Sequence, residues 1–203
     1  MQIVNKTIPN GGKVIFESIL DEIPGGVSVK VARLDYLTVN TNVDKRFLPA
    51  GTPVYVDIAA RTADICKSFI ALAGSTAQAI MVAKNNHAKV GDFVNDGTTS
   101  SAISSIDTTN AAYDILNTAE ALIYAENTKY GQGSASGAST AMLFTPNGMT
   151  KDNIWIFDGN ADGAIVTMGT VRADALTFPI TSAYAIALRG GITGTGRSLI
   201  TLV

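Results

Sequence analysis

The chain is poor in reactive side chains. It holds one cysteine and one histidine in 203 residues. A lone cysteine, Cys66, forms no intrachain disulfide, and zinc sites built from several thiolates are excluded. It lies in the apolar stretch 65–73, where a buried, inert thiol is expected. The single histidine, His87, would have to carry any Ser-His-Asp or Cys-His mechanism alone. Its setting, Lys84-Asn85-Asn86-His87, reads as a polar turn with an exposed imidazole.

Charge is equally sparse. Only 16% of the residues are charged, and 15 basic against 17 acidic side chains leave a net charge of −2. Ten Lys/Arg and nine Asp/Glu precede residue 101; five and eight follow it. Neither half carries a basic block that would neutralise a phosphate backbone, so nucleic acid is not an expected partner. A basic helix lying on a membrane is excluded on the same ground. The longest apolar-looking run, 70–83, is too short to span a bilayer and is broken by Gly74, Ser75, Thr76 and Gln78. The opening Met1-Gln2-Ile3-Val4-Asn5-Lys6 lacks the basic-then-apolar layout of a secretory signal. The expectation is a soluble protein made in a cytoplasm, with no membrane contact. Aromatics are 7%, so a core drawn from 46% apolar residues must be built of small aliphatic side chains.

What is present is β-pattern. Val27, Val29 and Val31 alternate with Ser28, Lys30 and Ala32, the period-two signature of a strand with one buried face. The turn Leu48-Pro49-Ala50-Gly51-Thr52-Pro53 launches a second alternating run, Val54-Tyr55-Val56-Asp57-Ile58. Further strands are expected near 69–73, 79–83, 93–94, 141–144, 154–157, 164–168, 183–188 and 199–203, and a helical turn near 18–23. Short apolar runs punctuated by Gly, Asn-Gly and Asp-Gly describe a mainly β fold, a barrel or sandwich. Residues 110–127 differ. Ala112, Ile115, Leu116, Ala119, Leu122 and Ile123 recur at three- and four-residue spacing, which predicts one amphipathic α-helix of about four turns. The following Gly/Ser-rich segment, 129–140, reads as a mobile loop or hinge. The chain therefore divides into an N-terminal arm with first strands, 1–43, and a β-rich core domain, 44–203, carrying the inserted helix and Gly/Ser loop.

No motif carries catalysis. Gly191-Ile192-Thr193-Gly194-Thr195-Gly196-Arg197-Ser198 has the glycine spacing of a phosphate loop. It offers Arg where that loop needs Lys, and only five residues follow, too few for the helix that would face the anion. A glycine-rich hairpin explains it. Asp57, Asp64, Asp158 and Asp162 are not paired by spacing and read as surface turn positions. Residues 158–163 resemble a calcium loop only slightly, without its alternating ligands or distal Glu. Trp155, alternating in an apolar strand, reads as core, with stacking on a sugar as the other use. No cofactor, metal or catalytic residue is expected, and the chain does not read as an enzyme.

The segment 48–57, with its Leu-x-x-Gly-Thr-x-Val step, resembles the head decoration and head-fibre proteins of tailed bacteriophages. So do Ala77-Gln78-Ala79-Ile80-Met81-Val82-Ala83 and Val90-Gly91-Asp92-Phe93-Val94, with 165–172 in the place of a closing barrel strand. The likeness covers about a third of the chain. It implies a structural virion protein, a homotrimer seated on the capsid exterior, synthesised in the host cytoplasm, with the major capsid protein as partner. It also implies an N-terminal arm that adds a strand to the capsid subunit. Here that arm is Met1, Gln2, Ile3, Val4, Asn5, Lys6, Thr7 and Ile8, whose alternation suits an edge strand, either the capsid's or this protein's own. The competing expectation is a β-rich binding module for a surface ligand such as carbohydrate, using Trp155 and the tyrosines.

Overall fold

The computed structural model describes residues 15–30, 47–84, 86–138, 141–156, 160–190 and 199–203. Strands take up 45% of these and helix 6%, so the mainly β fold with a single α-helix is observed. The strands fall into three consecutive groups. The first is β1 (Phe16–Glu22), β2 (Val27–Val29), β3 (Phe47–Leu48), β4 (Pro53–Asp57) and β5 (Thr62–Ile65). The second is β6 (Ser68–Ile70), β7 (Ala79–Ala83), β8 (Phe93–Asn95), β9 (Ser100–Asp107), β10 (Tyr113–Thr118) and β11 (Lys129–Gly133). The third is β12 (Gly148–Thr150), β13 (Ile154–Trp155), β14 (Ala161–Gly163), β15 (Ile165–Val171) and β16 (Leu199–Leu202), with helix α1 (Ser182–Leu188) before the last strand.

The middle group forms a sheet of its own, in the order β6-β11-β8-β9-β10-β7. It curls until its two ends meet, where Leu72 N donates to Met81 O at 2.9 Å. Phe69, Ile80, Val82, Val94, Ile103, Leu116 and Tyr130 form its core. The first and third groups interleave in a second sheet, β1-β15-β12-β4-β5-β2-β14, with β16 parallel to β15. The short β3–β13 ladder adds Leu48 and Ile154 to the core over β2, β4 and β5. The curled sheet is thus one continuous insertion in a flanking sheet assembled from both sides of it.

Local chemistry explains these elements. In β4 the side chains of Val54 and Val56 are buried while Tyr55 and Asp57 are exposed, which realises the alternation of the sequence. The turn before it is locked by Thr52, whose hydroxyl donates to Pro49 O at 2.7 Å and whose N–H donates to Thr150 Oγ1 at 3.0 Å. Helix α1 starts at Thr181, whose side chain accepts from Tyr184 N, and buries Tyr184 and Leu188, one turn apart. It ends at Gly190, with φ at 98°.

Several expectations need correction. Residues 110–127 are not helical: Tyr113–Thr118 is strand β10, hydrogen-bonded to β7 on one side and β9 on the other. The buried positions are Asp114, Leu116 and Thr118, so two of the three inward side chains are polar. Asp114 accepts from Lys84 Nζ at 2.5 Å and from Asn86 Nδ2 at 2.8 Å. These bonds allow a carboxylate inside, and they hide the period-two pattern from a hydrophobicity reading. The α-helix lies instead at Ser182–Leu188, where a strand was expected, and residues 18–22 belong to strand β1. The first part of the Gly/Ser segment is a strand, β11, paired on both sides with β6 and β8. Its glycines are there for space: a Cβ on Gly131 would press on Met142 and one on Gly133 would collide with Ser100.

Candidate functional site

The arm Met1 to Ile8, the 191–198 loop and Asp158 lie outside the described residues. Among the described residues, no three His, Cys, Asp or Glu side chains gather as a metal site, and no helix is long and apolar enough to cross a membrane.

The reactive groups that the sequence singled out are mostly buried. Cys66 is 1% exposed, as expected, and its pKa is raised well above the usual thiol value by burial and then by the charge of Asp64. His87 is 2% exposed, against the expectation of a loop imidazole. Its ring packs on Phe178 with centroids 3.9 Å apart and planes tilted by 43°. Burial first, and then the Lys67 charge, pull its pKa down to about 3, so the imidazole is neutral at pH 7. Asp64 is also buried, where a surface turn was expected; it sits in β5 and accepts from Lys30 Nζ at 2.9 Å. Asp57 and Asp162 are exposed at strand positions, and Trp155 is half-buried.

Two places bring polar groups together. The first is the seam between the two sheets. Lys67 is fully buried and its ammonium pairs with Asp92. Asp92 also accepts from Lys89 N and from Gln132 Nε2, both at 3.0 Å. Lys67 lies two residues before Phe69 and Gln132 two after Tyr130, so strand alternation turns both toward the side of the curled core. Tyr184 of α1 closes the seam: its hydroxyl donates to Lys67 O at 3.0 Å and accepts from Gln132 N at 3.3 Å. Sequence reading missed this cluster because its members are 25 to 117 residues apart. A signal existed in Lys67, one charge in an otherwise uncharged stretch, 65–83.

The second place is an open groove of about 250 Å³ whose lining includes Asp21, Glu22, Val56, Ile58 and Thr167. Both carboxylates are engaged, Asp21 by Thr167 Oγ1 at 3.1 Å and Glu22 by Lys151 Nζ at 2.7 Å. Asn147 braces its wall, accepting from Val56 N at 2.7 Å and donating to Val56 O at 3.0 Å. Neither place couples a nucleophile to an accessible base. The seam holds two sheets together, and the groove offers shape without a reactive group. Compared with known proteins, the chain matches no family model, no curated protein and no solved structure.

Proposed function

We propose that this chain is a structural virion protein that binds the outside of a phage capsid lattice and decorates or stabilises it, acting as a homotrimer. One observation carries the reading: the segments that resemble decoration and head-fibre proteins fall on defined structural steps. Residues 48–57 form the locked turn into β4, residues 79–83 form β7, the 90–94 step turns into β8, and 165–171 form β15. The burial of Cys66, Lys67 and His87 is in keeping with a protein that works through surface contact. The chain also leaves apolar side chains at its surface, with Leu20 72%, Ile186 66% and Ile123 62% exposed. Such side chains, scattered singly, are normal; repeated at each lattice site of a symmetric shell, small contacts add up to retention.

Co-sedimentation of the full chain with mature capsids, with and without residues 1–10, tests this. Saturable binding at a stoichiometry fixed by the lattice, lost on truncation, is the expected result. Absence of binding across several salt concentrations would overturn the reading. The ligand-binding alternative would then be tested through Trp155, with iodide quenching of its fluorescence protected by added oligosaccharide as its expected mark.

A further inference from the structure

The curled sheet has one apolar core, and the flanking sheet has two, one over β2, β4 and β5 and one beneath α1 that includes Tyr184. Contacts between the two sides include Tyr184 between Lys67 and Gln132, Met142 close against Gly131, and the His87–Phe178 ring pair. His87 belongs to the connection between β7 and β8 of the curled sheet, and Phe178 to the segment leading into α1. The curled-sheet side presents the Lys67 ammonium, whose charge reaches the imidazole, with the Asp92 carboxylate paired to it and the Lys89 N–H donating to that carboxylate. The α1 side presents the Tyr184 phenol, and the chain between the sheets the Cys66 thiol, which feels Asp64. Burial raises the phenol and the thiol, so neither changes charge on the acid side of neutrality. His87 is a group whose charge changes there, and the change adds positive charge to a closed space that already holds an ammonium.

We infer that the seam is an acid-operated latch: a proton on His87 parts its ring from Phe178 and releases the α1 end of the flanking sheet from the curled sheet, while both sheets keep their own ladders. The driving force is solvation. An imidazolium beside Lys67 is shut off from bulk solvent in the closed seam, where His87 is 2% exposed, and recovers hydration on opening. Opening is local because the ladders of the two sheets do not cross this contact, and the Tyr184 ring stays with the flanking side, whose core it shares with Met149, Val171 and Ile200, while the curled sheet keeps its own core. The inference does not depend on the capsid reading.

His87 is the single histidine of the chain, so its imidazole gives one assignable NMR signal. The test follows that signal in the full-length protein from pH 7 to 4, together with hydrogen exchange corrected for the intrinsic rate. Protection of the Gln132 amide, which donates to Tyr184, should fall by up to about 100-fold between pH 7 and 4.5, the ratio expected for one group held neutral two units below its free pKa. The Leu116 amide in β10 and the Val56 amide in β4 should keep their protection over the same range. In His87→Gln and His87→Phe the Gln132 response should disappear. An imidazole titrating near 6.5 with the Gln132 amide still protected would overturn the latch, and this holds even if neither variant folds. Simultaneous loss of protection at Gln132, Leu116 and Val56, or an acid response retained in His87→Gln, would overturn it equally.

Discussion

The curled sheet and the flanking sheet are made of similar residues and differ in how the chain supplies them. The curled sheet takes all six strands from one stretch, 68–133. The flanking sheet takes neighbours from opposite sides of that stretch: β4 lies between β5, a few residues away, and β12, about ninety residues on. Its side-chain ties span the same distances, Glu22 to Lys151 and Asp21 to Thr167 being 129 and 146 residues apart. One sheet is therefore stabilised by contacts close in sequence and the other by contacts that exist only once the whole chain is present. Both sheets bury a carboxylate. In the curled sheet Asp114 is sunk inside and held by two donors; in the flanking sheet Glu22 lies at the rim and Asp64 is buried against Lys30.

The largest effect should come from the buried ion pair on the curled-sheet side of the seam. Lys67→Met leaves the Asp92 carboxylate without its ammonium, and breaking a buried pair from one side costs about 3–5 kcal/mol. Urea unfolding should show the loss as a lower midpoint; a midpoint unchanged would mean that the pair adds nothing to the stability of the curled sheet.

Acid should act next. The pKa of His87 is depressed in the folded state, to about 3 from an ordinary 6.5. Between these values the unfolded chain binds the extra proton, so the stability that His87 contributes is complete above pH 6.5 and is lost as pH falls toward 3. From pH 7 to 4.5 the loss is about 2–3 kcal/mol. The difference between wild type and His87→Phe in urea midpoint, plotted against pH, measures it.

Gly133→Ala should weaken the curled sheet by about 1–3 kcal/mol, because its Cβ meets the Ser100 side chain across a paired strand. Proteolysis that begins within 68–133 in this variant would place the damage there. Smallest is Thr181→Ala, which removes the α1 cap at a cost of about 1 kcal/mol. Its effect should appear as faster exchange of the helix amides, with the β10 amides untouched.

Legibility in the sequence follows the same line. Where the buried face is apolar, as in β4 with Val54 and Val56 or β7 with Ile80 and Val82, alternation alone locates the strand. β10 defeats that reading because hydrogen bonds from Lys84 and Asn86, about thirty residues away, make a buried Asp114 tolerable. α1 is short and alanine-rich, so its apolar run reads as strand; Thr181 before it and Gly190 after it were the signals. His87 reads as exposed from its polar neighbours, and the Phe178 ring that covers it comes from ninety-one residues further on. The seam was illegible for the same reason: nothing in sequence joins Lys67, Asp92, Gln132 and Tyr184 until the two sheets are in contact.

The insertion also sets a timetable during synthesis. Asp21 and its partner Thr167 are 146 residues apart, so at ribosomal speeds of about 5–20 residues per second β1 waits roughly 7–30 s for β15 to be made. All six strands of the curled sheet are complete well before then. The nascent chain thus carries a finished lobe while the strands that preceded it still lack the neighbours made last, and this interval is when they are open to wrong pairing or to chaperones.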